Sequence, residues 1–274
     1  MNNFNLDKNG LLWYNLGKIR KERDCMPKFF VDNEQVDNGK VVIIGNDVNH
    51  IKNVLRMKIG DTFNVCDNNS NNYIVKINKF EKEEILCDIL QECSNTAESN
   101  VKVHIFQGLP KADKMELIIQ KSVELGVEKI TPVEMKRCVV KLDGKDKVKK
   151  IARWQKIAEV AAKQSGRDII PEICNVKNIK EITNEFKEYD LIILCYENEK
   201  NVFLKDVLKT VEQKDLLKIA VIIGPEGGID LSEVEVMKNS GAKVVSLGSR
   251  ILRTETVGLS LLSIIMYEFE RNEI

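Results

Sequence analysis

Two glycine-bearing turns constrain the fold of this chain more than any other feature. The first, residues 224–228 (GPEGG), follows the apolar run 219–223 (IAVII), and the second, residues 247–256 (LGSRILRTET), follows the run 243–247 (KVVSL). A helix-type segment comes after each turn. This repeated order of strand, turn and helix predicts a parallel α/β sheet, and such sheets bind ligands at the carboxyl ends of their strands.

The same alternation begins near residue 100. Apolar strand-type runs are followed by amphipathic segments that start at capping residues or stop at glycine. The predicted strands are residues 101–109, 129–135, 190–197, 219–224 and 243–248; the predicted helices are residues 111–126, 147–165, 201–211, a segment that begins with a capping box at Asp230 and Glu233, and residues 256–270. We therefore expect an α/β domain over residues 96–274.

Residues 26–91 have a different pattern. Short β-rich runs at residues 28–31, 40–45, 61–67, 71–80 and 84–90 are separated by Asn, Asp and Gly turn residues. Residues 50–61 predict one or two helical turns that end at Gly60. Several short strands with one helix favour a small β-barrel over residues 26–95, and the polar residues 94–100 are the expected linker.

Composition excludes several classes of protein. No apolar run in the 274 residues approaches the roughly 18–20 residues that cross a membrane. Residues 1–25 lack the apolar core of a signal peptide, so they are either a genuine extension or precede a start at Met26. Seven cysteines without a CxxC pair, and only two histidines, argue against disulfides and metal sites. We expect a soluble, cytoplasmic protein with no metal.

Charge is distributed unevenly along a chain of zero net charge. Residues 136–167 carry eleven cations and three anions, whereas residues 26–92 carry eight cations and eleven anions. A basic run of this kind is either a solvated helix face or a surface for a polyphosphate backbone.

The residue types in the two turns indicate a polar ligand. GPEGG has neither the spacing of a dinucleotide fingerprint nor the Lys-Ser/Thr pair of a phosphate-binding loop. It is therefore either a tight turn or a place where Gly227 and Gly228 admit a ligand to the backbone. The second turn brings Arg253, Thr254 and Glu255 to the start of a helix. Either Thr254 or Glu255 simply caps that helix, or the segment orients a polar substrate.

Several segments together resemble the 16S ribosomal RNA (uridine-N3) methyltransferases, members of the knotted SPOUT class. They are IGPEGGIDLSEVE, LGSRILRTETVGLS, KADKMELIIQKSVELGV and RWQKIAEVAAKQSGRDIIPEI, with MPKFFV and HIKNVLRMKIGD similar to that family's amino-terminal region. The resemblance covers the chain from about Met26 onward. It implies a PUA-like β-barrel at residues 26–95 and a SPOUT methyltransferase domain at residues 96–274, with a trefoil knot that binds S-adenosylmethionine (SAM) and a homodimer.

The resemblance also implies the residues of the site. Cofactor-binding residues would be Leu194, Gly224, Pro225, Glu226, Gly227, Gly228, Leu247, Gly248, Leu252, Thr254 and Thr256. RNA-binding residues would be Lys28, His50, Arg56, Lys111, Arg137 and Arg167. For His50 the alternative is a histidine packed near Val54. Lys28 stands where the family usually has an arginine, so it lacks a bidentate fork.

The implied reaction is attack of a uridine N3 on the methyl group of SAM, within 16S ribosomal RNA of the assembled small subunit. Because N3 carries a proton in neutral uridine, we assign Arg253 to stabilise the negative charge that forms, and Glu255 to accept the proton or to orient Arg253. Since the barrel is acidic overall, residues 136–167 are expected to supply most of the attraction for RNA.

Three other functions are weighed against this one. The chain could be a catalytically silent RNA-binding protein, although both turns are intact. It could be a SPOUT methyltransferase that acts on another RNA position. A nucleotide-binding oxidoreductase is disfavoured, because the sequence has no GxGxxG with a downstream acidic residue.

Overall fold

A computed structural model describes residues 26–67, 69, 71–93 and 98–271. The amino-terminal extension, Cys25 and residues 94–97 of the expected linker lie outside this description. The chain divides into two compact units, residues 1–95 and residues 96–274.

The first unit is a six-stranded sheet. Its strands are β1 (Lys28–Phe30), β2 (Val36–Asp37), β3 (Lys40–Ile44), β4 (Thr62–Cys66), β5 (Asn72–Phe80) and β6 (Glu84–Cys93), in the spatial order β1-β4-β5-β6-β3-β2. The β1–β4 pair is parallel and the others are antiparallel. Phe29, Phe63, Ile51 and their neighbours form a buried apolar core on this sheet. The predicted short strands are therefore confirmed.

The helical turns of this unit differ from the prediction. Helix α1 (Asn46–Asn49) begins earlier than expected and continues as a wider helical turn over His50–Val54. It does not reach Gly60, because Arg56 adopts a left-handed backbone with φ of 53°, which an α-helix does not allow. The prediction of helix through Gly60 is wrong for residues 55–60.

The second unit is a parallel α/β sheet, as the alternation of strand and helix predicts. Its strands are β7 (Val101–Gly108), β8 (Lys129–Glu134), β9 (Glu172–Ile173), β10 (Lys177–Asn178), β11 (Leu191–Cys195), β12 (Leu217–Ile223) and β13 (Lys243–Val245). The spatial order is β10-β8-β7-β12-β11-β13, with β9 also paired to β8. Every ladder in this sheet is parallel.

Six helices connect or follow these strands. They are α2 (Lys114–Glu124), α3 (Gly144–Ser165), α4 (Ile179–Asn184), α5 (Leu204–Leu208), α6 (Leu231–Asn239) and α7 (Thr254–Phe269). The segment predicted as helical at residues 201–211 is helical only at its centre. None of the helices in the described part of the chain is both long and apolar enough to cross a membrane.

Helix α7 lies across the middle of the sheet. The chain leaves β13 at the sheet edge, yet α7 packs on the central strands β12 and β7 and on α2. Gly258 permits this approach, since a Cβ there would lie 3.0 Å from Ile223 Cδ1 and 3.7 Å from Ile105 Cδ1. The chain therefore passes β11 between the edge strand and its last helix.

Two details of the helices correct the predicted pattern. Helix α3 buries Trp154 but leaves Val148 and Val160 71% and 67% exposed, so its predicted apolar face is only partly in the core.

The capping box of α6 does not form. Asp230 accepts a hydrogen bond from the Ser232 amide (3.2 Å), whereas Glu233 is buried. Glu233 accepts instead from the Lys136 amide (2.9 Å), because a buried carboxylate needs a donor and this one is nearby.

Candidate active site

A cavity of about 440 Å³ opens at the carboxyl ends of β11, β12 and β13. Its size is typical of small-molecule sites, roughly 300–1,000 Å³. The two glycine turns form two of its walls, as the sequence predicts. The sequence-predicted site residues that line it are Gly224, Pro225, Glu226, Gly228, Leu247, Gly248, Leu252, Arg253 and Thr254.

Three residues predicted for the cofactor lie outside this lining. Leu194 is fully buried in β11, paired with Ile222 and Val244 in the neighbouring strands. Gly227 and Thr256 belong to the turns but do not face the cavity. Strand β11 instead presents the residues that follow Leu194, namely Cys195, Tyr196 and Glu197. The side chain of Leu194 is therefore unavailable to a ligand, because a residue inside a central strand has both faces covered, and a role for its backbone stays a prediction.

The glycines of GPEGG serve the packing of the turn. A Cβ on Gly227 would lie 3.0 Å from the carbonyl oxygen of Arg137. Gly228 has φ of 71°, and a Cβ there would collide with the Glu197 carboxylate. Protein atoms therefore lie on the Cβ side of each glycine, while Gly228 also lines the cavity, so the expectation that these glycines admit a ligand stays a prediction.

A buried relay joins the two turns. The Gln107 side-chain amide donates to the Thr254 hydroxyl (2.9 Å), and this hydroxyl donates to the carbonyl oxygen of Gly224 (2.7 Å). Gln107 and Thr254 are both buried. The hydroxyl of Thr254 is thus used within the protein, and the expectation that Thr254 caps α7 is wrong, since it is the first residue of that helix.

A second contact between the turns is ionic, and no local sequence pattern indicates it. Lys114 Nζ lies 3.0 Å from Glu226 Oε1 and 3.2 Å from Glu255 Oε2. The Lys111 amide also donates to both Glu226 oxygens, at 3.1 and 3.2 Å. Lys114 therefore ties the start of α2 to both turns, and its side chain lines the cavity.

This arrangement affects the two carboxylates. Burial alone would raise the pKa of Glu255, but its own backbone N–H and the Lys114 ammonium outweigh burial and lower it. The pKa of Glu226 is lowered against burial in the same way. A carboxylate with a lowered pKa is a weak proton acceptor. The cation that Glu255 contacts is Lys114, so the role of orienting Arg253 stays a prediction.

Arg253 is one of two arginines in the cavity lining, with Arg250, that remain available. Its side chain is exposed at the cavity, and its guanidinium forms no hydrogen bond or ion pair with another residue that the structure describes. Five hydrogen-bond donors are thus free to meet a ligand or a substrate.

The second turn also offers backbone donors. Within the described chain, the amides of Leu247, Ser249, Arg250, Ile251 and Leu252 donate no hydrogen bond to the protein. Buried or ligand-facing amides normally have a partner. A row of free N–H groups along a cavity wall fits a heteroaromatic ligand with several acceptor atoms, such as adenine.

The residues predicted to bind RNA fall in both units. In the first unit Lys28 is half-buried on β1, whereas His50 and Arg56 are exposed. The His50 ring meets Phe29 edge-on at 5.8 Å, so it packs on Phe29, and Val54 is 65% exposed. In the second unit Lys111 and Arg137 are exposed.

Arg167 is placed differently. Its side chain is 7% exposed, and it forms a two-point ion pair with Glu98, with Nε–Oε1 of 3.1 Å and Nη2–Oε2 of 2.5 Å. It also donates to the carbonyl oxygens of Val123 (3.3 Å) and Val127 (2.6 Å). Since its donors are directed to protein acceptors, the geometry supports a structural role and not the expected contact with RNA.

Six of the eleven cations of the basic segment form ion pairs within the described chain, most of them with partners outside their own helix. The ion pairs are Lys136–Asp230, Arg137–Asp230, Lys147–Glu134, Arg153–Glu116, Lys163–Glu159 and Arg167–Glu98. Exposed lysines without an ion pair in the described chain remain at Lys141, Lys145, Lys149, Lys150 and Lys156. The usable positive charge is therefore smaller than the sequence suggests.

Histidine and cysteine chemistry has no place at this cavity. His104 is fully buried and hydrogen bonded to the hydroxyls of Tyr189 and Thr131. Burial lowers the pKa of His104 well below the usual range, and the positive charges of Lys129 and Lys177 lower it further. Burial raises the pKa of the Cys195 thiol to about 12. Among the described residues there is also no cluster of three or more His, Cys, Asp or Glu that could hold a metal ion.

These features define an α/β protein with a small-molecule site at the carboxyl ends of three adjacent parallel strands. Residues 97–266 match the RNA methyltransferase domain family, and residues 43–90 match the RNA methyltransferase PUA domain. The Bacillus subtilis ribosomal RNA small subunit methyltransferase E is 35% identical over 89% of this chain and 98% of its own length. The chain belongs to this family of RNA methyltransferases.

Solved structures agree with this assignment. A ribosomal RNA small subunit methyltransferase E from Neisseria gonorrhoeae, bound to S-adenosyl methionine, is 29% identical with a TM-score of 0.78, over 89% of this chain and 98% of that chain. A protein from Legionella pneumophila, described as a methyltransferase in complex with SAM, is 28% identical with a TM-score of 0.79, over 90% and 99%.

Proposed function

We propose that this enzyme methylates N3 of a uridine in 16S ribosomal RNA of the small ribosomal subunit, with SAM as the methyl donor. The observation that carries the proposal is the cavity itself. It is built from the two turns that resemble the uridine-N3 methyltransferases, and relatives of the same fold hold SAM.

The residues at the cavity fit this cofactor. The free amides of the second turn suit the adenine edge, and the eight lining residues predicted to bind the cofactor would hold the molecule. Gly227, Leu194 and Thr256 would act only by supporting those residues. When bound, SAM supplies a methyl group on a positively charged sulfur, which is open to attack by a nucleophile.

Arg253 is the proposed catalytic residue. Uridine N3 becomes nucleophilic when its proton passes to solvent water, and the negative charge then spreads over the imide until the bond from N3 to the methyl group forms and the methyl–sulfur bond breaks. The free guanidinium of Arg253 would stabilise this charge, as preorganised donors stabilise oxyanions. Glu255, held by Lys114, would orient Arg253 through its own negative charge. The Arg253→Ala variant is expected to retain cofactor binding and lose turnover.

RNA recognition is assigned to both units. Lys28, His50 and Arg56 of a PUA-like barrel at residues 26–95 would contact the RNA, together with Lys111 and Arg137. The unpaired lysines of α3 would add a sequence-independent attraction for phosphates. Arg167 is left out of this set. The substrate would be the assembled small subunit, and the enzyme would work in the cytoplasm as a homodimer.

A trefoil knot of the SPOUT type is proposed for residues 96–274. The support is the path of the chain from β13, at the sheet edge, back past β11 to α7 on the central strands. The hydrogen bond from Thr254 to Gly224 holds the returning segment against the turn that follows β12.

Mass-spectrometric mapping of ribosomal RNA tests the function directly. Cells that lack this protein should lose one N3-methyluridine in 16S RNA, and the wild-type gene, but not the Arg253→Ala gene, should restore it. An unchanged profile would refute the proposal. Loss of a different methylated nucleotide would favour a methyltransferase for another RNA position, and SAM-independent RNA binding would favour the silent RNA-binding protein.

A further inference from the structure

The Glu197 carboxylate is a feature of the cavity that the roles above do not use. Glu197 lies two residues beyond the end of β11 and lines the cavity. Its carboxylate sits directly against Gly228 of the first turn, where even a methyl group would not fit. The exposed carboxylate therefore lies between the cavity and the glycine turn.

This carboxylate has no protein partner among the described residues. Glu226, the other acidic residue in the lining, is paired with Lys114. Glu199, on the same loop, accepts hydrogen bonds from the amides of Asn201 (2.7 Å) and Val202 (3.2 Å). Glu197 forms no such hydrogen bond or ion pair. It thus presents two acceptor oxygens at the cavity.

The first turn separates two chemical environments. At Glu226 it meets Lys114 and, through it, Glu255 and the neighbouring Arg253, where the methyl transfer is proposed. At Gly228 it meets Glu197. An unpaired carboxylate accepts hydrogen bonds, and its two oxygens suit the two neighbouring hydroxyl groups of a ribose.

We propose that Glu197 accepts hydrogen bonds from the ribose hydroxyls of the adenosine moiety, and so selects a ribonucleoside cofactor. This inference rests on the proposed use of SAM. It orients the ligand in the cavity, with the sugar at Glu197, the base along the second turn and the sulfur toward Arg253 and Lys114.

A double-mutant cycle by calorimetry tests the assignment. The probes are S-adenosylhomocysteine and its 2′-deoxy analogue, with wild-type protein, Glu197→Ala, and Glu235→Ala as the control. Glu235 is an exposed residue of α6 outside the cavity lining. Glu197→Ala should weaken binding of S-adenosylhomocysteine about 10- to 100-fold, as expected for hydrogen bonds to a charged acceptor. Glu235→Ala should bind like the wild type.

The 2′-deoxy analogue shows whether Glu197→Ala loses a contact with the sugar or loses affinity for the ligand in general. The wild type should bind the 2′-deoxy analogue more weakly than the ribose form, whereas Glu197→Ala should bind both with nearly equal affinity. If the losses of affinity caused by Glu197→Ala and by removal of the 2′-hydroxyl were independent, the inference would be overturned. A much larger loss of affinity for SAM than for S-adenosylhomocysteine would also overturn it, because Glu197 would then pair with the sulfonium. Both outcomes leave the proposed function intact. Failure of the wild type to bind either SAM or S-adenosylhomocysteine would overturn both proposals.

Discussion

The Thr254 hydroxyl donates to the Gly224 carbonyl oxygen at 2.7 Å, so one side chain fixes the second glycine turn against the first. Thr254→Val keeps the shape of the side chain but leaves the Gly224 carbonyl and the Gln107 amide without this partner. We expect the free energy of unfolding to fall by about 1–3 kcal/mol, measured by urea denaturation. The control is Thr256→Val, an exposed position, where a change within about 0.5 kcal/mol is expected. Equal effects at the two positions would contradict the relay.

The buried pair of Glu98 and Arg167 is expected to stabilise the second unit. Glu98→Ala leaves a buried guanidinium without its carboxylate, and it also removes an acceptor for the amides of Asp168 and Ile169. We expect a loss of about 3–5 kcal/mol in the free energy of unfolding. Asp215→Ala removes the partner of Arg271 at a carboxylate that is 99% exposed, and should cost about 1 kcal/mol or less. If Glu98→Ala were as mild as this control, the pair would have no structural role.

His104 should make stability depend on pH. Its pKa in the folded protein lies well below the ordinary value of 6.5, chiefly because it is buried. Below pH 6.5 the unfolded chain therefore binds a proton that the folded protein does not, and stability falls as the pH falls. The slope is at most about 1.4 kcal/mol per pH unit from this side chain. Denaturation at pH 7.5 and 5.5 should show this loss for wild type and for the exposed variant His50→Gln, but not for His104→Gln. A slope that persists in His104→Gln would assign it to other groups.

Lys114 should determine how the free energy of unfolding falls at acidic pH. Because the pKa values of Glu226 and Glu255 are lowered in the folded protein, their contribution is present above the unfolded value of 4.5 and is lost as the pH falls through the lower folded values. Lys114→Met removes the ammonium, so the loss of stability between pH 5 and pH 3 should become shallower than in wild type. Lys121→Met, which breaks the neighbouring pair with Glu124, should keep the wild-type profile. Identical acid limbs for the two variants would show that Lys114 does not set these values.

The unpaired lysines of α3 should determine how RNA affinity depends on salt. Each phosphate contact contributes about 0.7–0.9 to the slope of log affinity against log salt. Changing Lys145, Lys149 and Lys156 to Gln should therefore lower the slope by roughly 2 if all three contact phosphates. Lys147→Gln and Lys163→Gln, whose ammonium groups are paired with Glu134 and Glu159, should change it little. A larger effect from the paired lysines would place the RNA elsewhere.

The predictable parts of the fold follow from local patterns. The alternation of apolar runs and amphipathic segments predicts β7, β8, β11, β12 and β13 correctly, and the two glycine turns indicate the cavity at their ends. Such patterns fail at Arg56, because the residues around it do not predict the left-handed backbone that ends the helix there.

The rest of the site depends on partners that are distant in sequence. Glu98 and Arg167 are 69 residues apart, and Gln107 and Thr254 are 147 apart. A basic residue in a basic run gives no sign that a carboxylate elsewhere will bury it. For the same reason the sequence does not indicate that Lys114 joins the two turns, although it does predict the helix that carries this lysine. Local pattern predicts which turns meet, and only the tertiary structure shows what joins them.

The position of α7 makes the cavity a reporter of completed folding. Its walls come from four segments, around residues 114, 195–197, 223–228 and 245–257, and α7 must lie on the central strands before Thr254 can reach Gly224. A molecule in which this helix has not docked has all the strands but no complete site. A ligand of the cavity therefore stabilises only the fully assembled unit. The fraction of protein that binds the ligand equals the fraction of molecules in which α7 has docked on the sheet.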